Sequence, residues 1–88
     1  MKTSAKIRGV LAMAGVTQLE LAQLSGVTRQ TIHNYLNVQD IEDYARGLKV
    51  MAVVDKIMRL CVTDTLPLPT SMTDRMGVLT QLLASDEN

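Results

Sequence analysis

Arg29, Gln30, His33 and Asn34 are the residues of this 88-residue sequence whose types and spacing carry the clearest chemistry. Residues three and four apart share a helix face, so these side chains stand together and offer a guanidinium fork, two carboxamides and an imidazole. Such groups hydrogen-bond base edges and phosphates. No apolar anchor interrupts them, whereas a helix that docks on a protein shows Leu, Phe or Met at i, i+3/i+4 and i+7. An Arg in the first turn opposes the helix dipole, so Arg29 has no stabilising reason to stand there. Gln30, His33 and Asn34 also suit a solvated face, and for them the surrounding motif decides.

Chemistry of other kinds finds few residues. The sole histidine, His33, and the sole cysteine, Cys61, lie 28 residues apart with no companion cluster, which leaves neither a nucleophile with its base nor a zinc set. Cys61 sits among Met58, Leu60 and Val62 and reads as a buried, reduced thiol, and one cysteine permits no intrachain disulfide. Glu42 and Asp43 are adjacent, so on a helix they point apart and read as a solvated acidic connection. No glycine-rich phosphate loop follows a strand. The expectation is a non-enzyme with no catalytic residues, no cofactor, no metal and no small-molecule ligand.

The elements that must hold the four polar side chains fall in residues 16–37, VTQLELAQLSGVTRQTIHNYLN. Thr17 with Glu20 three residues on forms a capping box, predicting a helix from there through Leu24 with Leu21, Ala22 and Leu24 inward. Ser25-Gly26 stops it, since glycine tolerates the positive φ of a sharp turn, and Val27 plugs the angle between two helices. Thr28 caps the second helix, which runs to Leu36 and buries Ile32 and Tyr35/Leu36. The small Ala22 allows the two helices to cross closely.

At these positions, over residues 6–37, the chain resembles the Cro/C1-type helix-turn-helix family of phage repressors and bacterial regulators. Gln18, Leu21, Ala22, Gly26, Val27, Ile32 and Tyr35 agree with its motif in order and spacing. The resemblance implies a lambda-repressor-like bundle acting on double-stranded DNA through the major groove, as a sequence-specific transcriptional regulator such as a repressor or autorepressor. It makes Arg29, Gln30 and Asn34 base readers, Gln18 a phosphate contact, and Thr28, His33 and Asn37 backbone or secondary contacts. The scaffold is Leu21, Ala22, Gly26, Val27, Ile32 and Tyr35. Where the family usually places an acidic residue and a glycine after the recognition helix, then a short helix pair, this chain has NVQDIEDYARGLK. The C-terminal half is therefore not covered. The alternative is a helix-turn-helix shell serving a protein partner, as an antirepressor, adaptor or assembly subunit.

Eighty-eight residues make one all-α domain of about five helices: residues 1–37 hold helices 1–3 and residues 38–88 a connecting segment and dimerisation helices. Helix 1 is predicted over residues 4–14, with Ile7, Val10, Leu11 and Ala14 inward and Gly15 as its C-cap. Residues 38–46 are polar and acidic with Ile41 and Tyr44 as apolar anchors, and form a loop or one or two helical turns. From Leu48 to Val62 runs an apolar stripe wider than one core face needs. Pro67 and Pro69 break it. Ser71 with Asp74 starts a last helix carrying Met72, Met76, Leu79 and Leu83, and the terminal residues 86–88 fray.

With 47% hydrophobic residues, a mean hydropathy of +0.11 and neither Phe nor Trp, the core is built from Leu, Val, Ile, Ala and six Met. That is more apolar surface than three helices hide. The expectation is a homodimer joined through Val54, Ile57, Met58, Cys61, Met76, Leu79 and Leu83, reading an inverted repeat with half-sites about 34–36 Å apart. The net charge is zero, but residues 1–39 hold a balance of +3 and residues 40–88 one of −3, which would orient the protein on a polyanion. Arg8 and Gly9 interrupt the apolar start, so it reads as an amphipathic helix and not a signal peptide. No run approaches membrane-spanning length. The expected location is the cytoplasm of a bacterium or phage-infected cell, with no membrane partner.

Overall fold

The computed structural model describes residues 3–37, 45–69 and 71–85, and the expectations for residues 38–44 and 86–88 lie outside them. Five α-helices follow in order: α1 Thr3–Ala14, α2 Gln18–Ser25, α3 Arg29–Tyr35, α4 Ala45–Val62 and α5 Arg75–Ser85, with no strand among the described residues. The class is all-α.

α4 is the axis of the bundle. Its Val50, Val54 and Ile57 are fully buried and meet Ile7 and Ala14 of α1, Leu21 and Ala22 of α2, Ile32 of α3 and Leu79 of α5 in one apolar cluster. α1, α2 and α5 all pack on α4, α5 also touches α2, and α3 hangs from α2. Burying branched aliphatic side chains of this size stabilises by about 1.5–3 kcal/mol each, which is how a core without large aromatics holds.

The ends of the helices are set locally. α1 buries Ile7, Val10, Leu11 and Ala14 as its spacing predicts, plus Thr3, and closes on Gly15 at φ 65° with Val16 N–H donating to Leu11 O at 3.1 Å. α4 starts at Ala45, ahead of the predicted stripe, with Gly47 buried in its first turn. It ends on Asp64 at φ 62°, where Thr65 N–H donates to Leu60 O at 2.9 Å and Asp64 N–H to Cys61 O at 3.1 Å. This is the paired bonding of a Schellman cap, with aspartate where glycine is commoner.

Three sequence expectations change. The cap of α5 is not Ser71: the helix begins at Arg75, and the Asp74 carboxylate accepts the Gly77 N–H at 3.2 Å. The stripe on α4 is covered within one chain. Leu66, buried beside a cis Leu66-Pro67 bond, packs into the core after α4, and α5 lies against α4 and α2 while α1 covers another side. Val54, Ile57 and Leu79 are 0% exposed and Leu83 is 7% exposed, so these four are core residues and not a dimer surface; Met58, Cys61 and Met76 are half-buried. Lastly, the stripe is narrower than its sequence: Leu48 and Val62 face solvent.

Candidate nucleic-acid interface

Thr17, Gly26 and Thr28 fix the angle between α2 and α3. Thr17 has extended backbone and forms a complete capping box: Glu20 N–H donates to Thr17 Oγ1 at 3.1 Å, and Thr17 N–H donates to Glu20 Oε1 at 3.0 Å. α2 runs through Ser25, one residue beyond the predicted Leu24. Gly26, at φ 71°, donates its N–H to Ala22 O and Gln23 O, and Val27 N–H reaches Ala22 O at 3.0 Å. A Cβ at Gly26 would meet only Lys49 Nζ at 3.7 Å, so glycine is needed here for its backbone conformation and not for room. Val27 lies half-buried in the angle, and Ala22 is buried beneath it.

Thr28 caps α3, its Oγ1 accepting the Thr31 N–H at 3.1 Å and standing 2.9 Å from Thr31 Oγ1. Within the helix Ile32 is buried and Tyr35 half-buried, and Leu36 closes the inner side as a buried cap. Of the scaffold residues, Leu21, Ala22 and Ile32 are buried, Val27 and Tyr35 are half-buried, and Gly26 holds the turn at positive φ. Arg8 of α1 adds a contact that local patterns do not reveal: its Nη2 donates to Leu36 O at 3.0 Å, placing a cation on the negative end of α3.

The outward side of α3 is polar throughout. Arg29, Gln30, His33 and Asn34 are exposed, and Arg29, Gln30 and His33 line one open depression. Gln30 Nε2 donates to Asn34 Oδ1 at 3.0 Å, joining the two carboxamides. Asn37 is exposed and spends one N–H on His33 O at 3.0 Å. Gln18, half-buried in the first turn of α2, lines a separate open cleft with Arg8, Thr17 and Leu36.

Charge is redistributed relative to the sequence halves. Lys6 is held by Asp55 at 2.7 Å, which cancels one cation of the basic half, while Lys49 comes from the acidic half to the Gly26 turn. Arg75, the first residue of α5, binds the Glu20 carboxylate and donates from Nη2 to Gly15 O at 2.7 Å. That guanidinium holds Glu20 below the usual carboxylate range and is itself raised, while burial pushes the Cys61 thiol up. Among the described residues no three His, Cys, Asp or Glu side chains gather to hold a metal, and no helix is long and apolar enough to cross a membrane.

Comparison of the chain with protein-family models, curated proteins and solved structures finds no match.

Proposed function

We propose that the chain is a sequence-specific DNA-binding regulator of the Cro/C1 helix-turn-helix type, with a lambda-repressor-like bundle that lays α3 in the major groove. One observation carries the reading. α3 is anchored by Ile32 and Leu36, while its exposed side holds only Arg29, Gln30, His33 and Asn34, all hydrogen-bonding groups with no exposed apolar anchor among them. A protein-docking helix needs such an anchor, and a base-reading helix does not.

In this role Arg29 takes guanine O6 and N7, and Gln30 and Asn34 face adenine. Gln18, Thr28, His33 and Asn37 lie toward phosphates, with Lys49 beside the turn as a further cation that the sequence motif does not include. The acting species is a homodimer on an inverted repeat, because one short helix reads few base pairs. Its contact cannot use Val54, Ile57, Leu79 or Leu83. Repression from within a bacterial or phage-infected cytoplasm, with no catalytic step and no small-molecule ligand, completes the proposal.

A gel shift with the duplex upstream of the chain's own gene, against a random duplex of equal length, tests it. The upstream duplex should bind tighter, and Arg29→Ala should cost on the order of 1–3 kcal/mol. Equal binding to both duplexes, or none, overturns the reading.

A further inference from the structure

The bond between Gln30 and Asn34 changes what the recognition surface can read. Each carboxamide has one oxygen and two N–H groups. Contacting adenine at N6 and N7 requires an oxygen and an N–H from the same amide, both directed at the base. Gln30 gives one N–H to Asn34 and keeps Oε1 and its second N–H, so it still holds the full pair adenine demands. Asn34 is placed differently. Its Oδ1 accepts from Gln30 Nε2 at 3.0 Å, which commits one of its two lone pairs and ties the plane of its amide to Gln30.

We propose that Gln30 and Asn34 act as one reading unit that specifies a single A·T pair, with Gln30 contacting adenine and Asn34 as a positioning residue. This rests on the DNA-binding assignment above and departs from the sequence expectation of two independent adenine readers. The benefit is preorganisation. A glutamine has three side-chain torsions to fix on binding, and a partner one helical turn away holds the amide plane before DNA arrives. Both residues are exposed on α3, so substitution there should leave the fold intact. Among the described residues no acceptor takes the side-chain N–H groups of Asn34, which can donate to an acceptor beside the adenine.

The test is selection from a randomised duplex library by the full chain and by Gln30→Ala, Asn34→Ala, Asn34→Asp and the double alanine variant, with thermal melting as a check on folding. The wild-type chain should enrich a site in which both alanine variants relax the same A·T position. The double variant should bind the selected duplex within about twofold of Gln30→Ala alone, as expected for residues acting together. Asn34→Asp retains an acceptor for the Gln30 N–H, so it should keep the base preference at that position while affinity falls for all sequences. Relaxation of two different positions, or losses that multiply in the double variant, overturns the unit and leaves DNA reading intact. A wild-type chain that enriches no sequence overturns both.

Discussion

Arg75 grips the Glu20 carboxylate with two nitrogens, Nε to Oε2 at 2.9 Å and Nη2 to Oε1 at 3.2 Å, while the same carboxylate closes the capping box of α2. One acidic group thereby ties the start of α5 to the start of the helix-turn-helix. The two side chains are 22% and 13% exposed, which shields the pair from full solvent screening. Arg75→Ala should cost roughly 1–2 kcal/mol, on the order of 5–10 °C in melting temperature for a domain this small.

Acid should reveal the same contact. The folded-state pKa of Glu20 is lowered, so protons bind its unfolded form first, near the free value of about 4.3. Its stabilisation is therefore complete above that pH and lost as pH falls through the depressed folded value. Melting temperature followed from pH 6 downward should drop more steeply below about pH 4.3 in the wild-type chain than in Glu20→Gln. Parallel curves would remove Glu20 from the acid response.

Gly26→Ala should destabilise by about 1–2 kcal/mol through the left-handed backbone alone, because a Cβ there has only an ordinary contact with Lys49. Gly26→Val should cost more and Gly26→Asn less. Denaturant unfolding orders the three; equal costs would show that space decides, not conformation.

The features of this turn were legible from the sequence because each is made within five residues: Thr17 with Glu20, Gly26 with Ala22, Thr28 with Thr31. Arg8 on Leu36 and Arg75 on Glu20 were not, since they join residues 28 and 55 positions apart and depend on the path of the whole chain. The width of the α4 stripe misled for the same reason. Apolar spacing shows that Val54 and Ile57 must be covered, not whether α5 of the same chain or a second chain covers them.

Leu79→Asp therefore should unfold the chain instead of releasing a folded monomer. Leu79 is 0% exposed at the meeting of α4 and α5, and a lost leucine costs about 2–5 kcal/mol before the buried charge is counted. Circular dichroism beside sedimentation separates the outcomes: a helical monomer would return Leu79 to an interface. Met13→Asp, at a side chain 52% exposed, should keep its helical signal.

Ser25 is 4% exposed and its Oγ has no hydrogen-bond partner among the described residues. A buried hydroxyl left unpaired is a cost, and alanine is also the better helix former. Ser25→Ala should be neutral or stabilise by up to about 1 kcal/mol. A fall in melting temperature would mean that the hydroxyl is bonded.

Ile32 is the one buried residue of α3, and the four polar positions 29, 30, 33 and 34 are exposed, with Gln30 bonded to Asn34. Changes at such positions usually move stability by no more than about 0.5 kcal/mol. Evolution can therefore rewrite residues 29, 30, 33 and 34 while the frame that presents them stays as it is. Two descendants of this chain could diverge completely at those tips and still be kin, so common ancestry is better sought in Leu21, Ala22, Gly26 and Ile32.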